Sequence, residues 1–325
     1  MSETRRALLS KGQYPQSSQP LATKTELIEP HHVEPTNRAL AAGGGKVSIE
    51  ERQDRLYLSP GQGAVATLRV TINDVPIPFE ITRAELVREA VGNAPPQVVG
   101  TVEFHDDGKP PDSAPSDATW STAVNALADP TPGGLNLFVD IKANGEQGTA
   151  SWAFVQTADP PARFTQTARV ALENGSVEFY VGISVDRAGL YEIVGRVYDS
   201  TNLPIAYARY LDRLGPDAKE VRLEAFGKVL VDAGAVPPLT LKDVEGQRMV
   251  LGTYPDRELM EGWPAGIETP NYDPSLFSSA QYEDPDKQKK LNALNKATQE
   301  GLDNIKKGGP PPMPPPPSRP VDHGQ

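Results

Sequence analysis

The sequence predicts an all-β protein: two β-sandwiches in tandem, then a short C-terminal helix and a disordered proline-rich tail. Three observations carry this. Apolar and polar residues alternate over long stretches, as at Ala64, Ala66, Leu68, Val70 and Ile72, and alternate side chains of a strand face opposite sides of its sheet. Turn signals separate these stretches, most sharply Asn144-Gly145 and Asn174-Gly175, pairs that tolerate the positive φ of a two-residue hairpin. The chain has 325 residues, enough for about two domains.

Residues 1–46 are polar, carry scattered prolines and end in Gly43-Gly44-Gly45. They read as an extended arm. The first sandwich is placed at 47–157. It includes "QVVGTVEFH", "GLNLFVDIKA" with Leu135, Leu137, Val139 and Ile141 on one face, and "QGTASWAFVQ". Pro160-Pro161 breaks the pattern, because consecutive prolines cannot sit in a central strand. The second sandwich, 158–255, opens with Val177, Phe179, Val181, Ile183 and Val185 on one face and Glu178, Tyr180 and Ser184 on the other. "LYEIVGRVYD", "IAYARYL", "KEVRLEAFGKVLVDA" and "LTLKDVEGQRMVL" supply its remaining strands. Residues 256–308 read as irregular with one helix, its thin apolar stripe formed by Leu291, Leu294, Leu302 and Ile305. The tail, 309–325, contains "PPPMPPPPSRP". It should adopt polyproline II and act as a spacer or as a ligand for an aromatic groove.

The most informative local motif is "DRAGLYEI", Asp186 to Ile193. Asp186, Gly189 and Tyr191 form a tyrosine corner, in which the Tyr hydroxyl bonds upstream backbone and pins a loop crossing between sheets. This makes the sandwiches immunoglobulin-like. Ile193 stands two residues on, where disulfide-bearing domains have a Cys.

Composition removes several functions. No cysteine is present, which excludes disulfides, thiolate metal clusters and Cys nucleophiles. The net charge of −11 disfavours nucleic acid and anionic membranes, which need basic surfaces. No apolar run is long enough to insert in a membrane. Arg5-Arg6 is followed by only Ala7-Leu8-Leu9, too short for the core of a secretory signal. Gly61-x-Gly63-x-x-Ala66 matches a dinucleotide fingerprint formally, but a strand pattern follows it where the mechanism requires a helix. Of the four histidines, His31 and His32 lie in the arm and His323 in the tail; His105 lies beside Asp106 and Asp107. No Gly-x-Ser-x-Gly elbow occurs. No enzyme activity and no catalytic residue are expected.

One stretch gathers acids: "HDDGKPPDSAPSDATWST", His105 to Thr122. Asp106, Asp107, Asp112 and Asp117 could offer oxygens to Ca²⁺ as a cofactor. Alternatively Asp and Gly build turns there, since Asp accepts backbone N–H bonds and Gly takes φ > 0.

The same loop resembles the "DDG…GD…GDG-Y-T" signature of bacterial extracellular immunoglobulin-like domains. Asp106-Asp107-Gly108, Asp112, Asp117, Trp120 and Ser121 match it. Pro111 and Ser116 stand where the signature has Gly before each later Asp, and Ala118 where Gly follows the second. Residues 160–285, through "ENGSVEFYVGISVDRAGLYEIVGRVYD", "KEVRLEAFGKVLVDAG", "LTLKDVEGQRM" and "PDRELM", resemble the choice-of-anchor X type of bacterial domain. The resemblance implies a non-catalytic structural, binding or adhesion protein of an extracellular, periplasmic or envelope location, with protein partners and no catalytic residues. Two alternatives stand beside it. One is a subunit of a larger assembly or oligomer, whose arm and tail order on neighbours. The other is a calcium-dependent carbohydrate-binding module.

Overall fold

The structure, a computed structural model, describes residues 13–24, 27–28, 33–90, 95–263 and 265–283, together with Asn292, Lys296 and Gln299. Two compact units are present: residues 1–15 with 280–325, and residues 16–279. In the first unit the Tyr282 amide donates to the Gln13 carbonyl (3.0 Å). Of the expected C-terminal helix only Asn292, Lys296 and Gln299 are described, each helical. The proline-rich tail, His31, His32 and His323 lie outside the described residues.

The second unit is built almost entirely of strands. In chain order they are β1 (Ser18–Pro20), β2 (Thr36–Ala39), β3 (Ser48–Gln53), β4 (Tyr57–Leu58), β5 (Gly63–Ile72), β6 (Val75–Pro76), β7 (Glu80–Arg88), β8 (Gln97–Thr101), β9 (Trp120–Asn125), β10 (Gly133–Ala143) and β11 (Glu146–Gln156). After Pro160-Pro161 come β12 (Ala162–Glu173), β13 (Ser176–Val185), β14 (Gly189–Tyr198), β15 (Pro204–Leu214), β16 (Glu220–Ala225), β17 (Thr240–Met249), β18 (Arg257–Leu259) and β19 (Ile267–Glu268). One short helix, α1 (Gly227–Asp232), follows β16.

The first sandwich packs the sheet β2-β3-β5-β6, with β9 also on β5, against the sheet β4-β11-β10-β7-β8. Ala64, Ala66, Leu68 and Val70 of β5 meet Leu135, Leu137, Val139 and Ile141 of β10 in its core. These are the alternating positions expected of half-buried strands. Asn144 and Gly145 take φ of 49° and 79° and join β10 to β11 as a two-residue hairpin. Asn174-Gly175 joins β12 to β13 in the same way. A third such hairpin, at Asn73-Asp74 between β5 and β6, has no glycine to announce it.

The second sandwich pairs β1-β15-β14-β17-β18, with β19 also on β17, with the sheet β12-β13-β16. All five apolar positions expected on one face of β13 are buried.

Three sequence expectations are corrected here. The arm does not stand apart: β1 adds to the edge of the second sandwich beside β15, and β2 adds to the first beside β3. Arg38 of β2 pairs with the buried Glu51 of β3 (2.9 Å), and Glu51 also accepts from the Ser151 amide of β11 (2.8 Å). The second half of "KEVRLEAFGKVLVDA" is helix, not strand. Its buried Val229 and Leu230 fall three and four residues after Phe226, a helical spacing. Strand character also continues past residue 255: β18, β19 and the buried Trp263, stacked edge-on against Phe164 (6.1 Å), belong to the second sandwich.

Candidate functional site

The aspartate loop is the connector between β8 and β9, strands that lie in opposite sheets of the first sandwich. Its backbone is held by its own acids. Both oxygens of Asp106 accept backbone amides, from Asp117 (3.1 Å) and Ala118 (3.1 Å). Asp117 accepts the Thr119 amide (2.8 Å), and Asp112 accepts the Gly108 amide (2.6 Å). His105 and Ser121 exchange backbone bonds across the neck of the loop (2.9 and 2.8 Å). The turn-building role expected of these residues is therefore present.

Asp106, Asp112 and Asp117 converge, each offering one oxygen, with those oxygens within 4.8 Å of one another. Asp107 does not join them. It turns toward Lys109, whose backbone amide (3.0 Å) and ammonium (3.0 Å) it accepts, and these bonds hold its carboxyl below the usual range. Ser116 and Ala118, which replace glycines of the resembled signature, take φ of 57° and 66°. The left-handed turns are thus kept without glycine, at a cost of about 1–2 kcal/mol each. The Asp106 carboxylate offsets this by binding the amides that those turns present. His105 is half-exposed, with Glu103 its nearest acid (3.9 Å). It lies outside the aspartate cluster.

A tyrosine corner is present at Tyr191. Tyr191 is 0% exposed, and its hydroxyl lies between the carbonyls of Arg187 (2.5 Å) and Pro161 (3.1 Å). The Pro161 carbonyl also accepts the Asp186 and Arg187 amides (both 3.0 Å). The corner thus ties the β13–β14 crossing to the start of β12. Burial pushes the phenol up to about 12. The Asp186 carboxylate pairs at the surface with Arg163 (3.0 Å). Gly189 leaves room for Arg248, whose Cδ would lie 2.8 Å from an added Cβ. Arg248 in turn forks onto Glu258 (2.7 and 3.0 Å). Tyr191→Phe is expected to lower the unfolding free energy by about 1.5 kcal/mol, because it removes one buried donor; urea denaturation measures this.

A second feature could not be read from the sequence. A cleft of about 580 Å³ opens where the two sandwiches meet. Its floor comes from the β15-β14-β17-β18 sheet, with Leu56 and Tyr57 from the first sandwich on one side. Here the Arg257 guanidinium lies over the Tyr57 ring (4.5 Å) while forking onto Asp256 (2.8 and 3.0 Å). The Tyr57 hydroxyl donates to Asp256 (3.4 Å). Buried Arg196 donates to the carbonyls of Leu27 (2.7 Å) and Asp243 (3.1 Å). Glu192 accepts from Arg209 (2.6 Å) and Gln247 (2.7 Å). The polar groups lining the cleft come from Glu34 and from β4, β14, β15, β17 and β18, segments spread over more than 200 residues of sequence.

No protein-family model and no curated protein matches the chain. Solved structures similar to it include a DUF4785 family protein from Legionella pneumophila, at 14% identity and a TM-score of 0.43. That alignment covers 70% of this chain and 58% of the Legionella protein. The FN1-FN3 domains of chicken CNTN1 align at 11% identity over 72% of this chain and 68% of theirs, with a TM-score of 0.26. Salmonella alpha-2-macroglobulin reacted with methylamine aligns at 14% identity over 71% of this chain and 16% of its own, with a TM-score of 0.30. The immunoglobulin-like architecture is carried by the chain's own strand pairing and tyrosine corner.

Proposed function

We propose that this chain is a non-catalytic structural or binding protein of a bacterial envelope or surface. Its paired sandwiches act as one stiff body that presents inter-strand loops to a protein partner. The observation that supports this reading is the joint between them. Arg257, Asp256 and Tyr57 link the sandwiches by a stacked and hydrogen-bonded contact. An active cleft needs a nucleophile or base within reach of its substrate. In this cleft Arg196, Arg257 and Glu192 are engaged by other protein groups, and no described histidine lines it.

The envelope assignment rests on the resemblance of residues 160–285 to the choice-of-anchor X type of domain. An assembly subunit whose arm orders on neighbours is the weaker reading for residues 18–23, because they already dock on their own chain. Fractionating cells of the source organism, with an antibody to the folded protein as readout, tests the proposal. The protein is expected in the envelope or the medium; recovery in the cytosol overturns the envelope reading.

A further inference from the structure

We propose that Asp106, Asp112 and Asp117 form a binding site for one Ca²⁺, which clamps the connector between the two sheets of the first sandwich. The oxygens of the three acids converge. Asp112 adds a second observation: it is 4% exposed, and its Oδ1 is buried with no hydrogen-bond donor from the protein. Its other oxygen accepts the Gly108 amide. A buried carboxylate oxygen left without a partner is costly, and a cation drawn to the cluster would satisfy it.

The geometry fits one ion. Ligand oxygens lie about 2.3–2.6 Å from Ca²⁺, so two oxygens on the same ion stand no more than about 4.6–5.2 Å apart. The three acids meet this limit, with oxygens within 4.8 Å of one another. Amide bonds to Asp106 and Asp117 leave each carboxylate further lone pairs. No described Lys or Arg forms an ion pair with the three; Lys109, the loop's own cation, is held by Asp107.

Donor chemistry selects the ion. Oxygen ligands without His or Cys suit a hard cation rather than zinc. An irregular loop suits the flexible coordination of Ca²⁺ better than the strict octahedron of Mg²⁺. The site stands independently of the envelope assignment.

The full chain, stripped with a chelator and titrated with CaCl₂, tests the proposal by isothermal calorimetry and thermal melting. One site per chain is expected. At a hundredfold excess over Kd the midpoint should rise by roughly 5–10 °C, and equimolar MgCl₂ should move it much less. Asp112→Asn should abolish the calcium shift; Asp107→Asn should retain it. If Asp112→Asn fails to fold, Asp117→Asn, at an exposed position, should weaken affinity by about tenfold or more with an unchanged circular dichroism spectrum. The absence of both binding heat and a midpoint change at millimolar Ca²⁺ overturns the proposal. So does an undiminished response in both Asp112→Asn and Asp117→Asn.

Discussion

Leu21→Asp is expected to destabilise the protein by at least about 3 kcal/mol, combining loss of a buried leucine with burial of a carboxylate. Leu21 is 0% exposed and follows directly on β1. That strand pairs Ser18, Gln19 and Pro20 with Ala208, Tyr207 and Ala206 of β15. The Arg209 amide donates to the Ser17 carbonyl (2.8 Å), and the buried Ser18 hydroxyl accepts the Phe226 amide (2.9 Å). The arm therefore closes an edge of the second sandwich. An uncovered edge strand offers unpaired N–H and C=O groups to other chains. The variant should therefore also self-associate, shifting to earlier elution on size exclusion. Urea denaturation of wild type and variant gives the energy. A loss below about 1 kcal/mol, with unchanged elution, would mean that the arm is an accessory and not part of the fold.

The arm shows where sequence reasoning stops. Long strands were legible because their period repeats: β5, β10 and β13 each place four or five apolar residues on one face. The hairpins at Asn144-Gly145 and Asn174-Gly175 were legible because those residue types favour left-handed backbone. Tyr191 was legible because its corner has a local signature. A three-residue strand followed by one leucine shows no period, so in sequence β1 is indistinguishable from the rest of an extended arm. The helix α1 is shorter than two turns, and its Val-rich sequence suits a strand equally well. The acids posed a different problem. Asp106 and Asp107 are adjacent and chemically alike, yet the chain turns between them and sends only Asp106 to the cluster. Ser116 and Ala118 adopt the positive φ that a sequence reading reserves for glycine. The cleft between the sandwiches depends on how Tyr57 meets Arg257, residues far apart in the chain.

Glu178 is expected to make the protein less stable as pH rises from about 4.5 to 7, by on the order of 2 kcal/mol. It lies on β13, on the face opposite the core residues Val177 and Phe179, and is only 3% exposed. Burial, with Glu224 directly opposite on β16 and Glu173 nearby, pushes its carboxyl up to about 7. Arg222 opposes this only weakly, at 3.5 Å, and Oε2 has no protein donor. The sign follows from the direction of the shift. The folded state holds the proton more tightly than the unfolded chain, so its stabilisation is complete below the unfolded value near 4.5. It is lost as pH rises through about 7. Glu178→Gln removes the titration and should gain stability relative to wild type above pH 7, with little difference at pH 5. Paired urea denaturations from pH 5 to 8 measure the divergence. Parallel curves across that range would show that the carboxyl titrates at its ordinary value, and that the outer face of β13 is wetter than its burial implies.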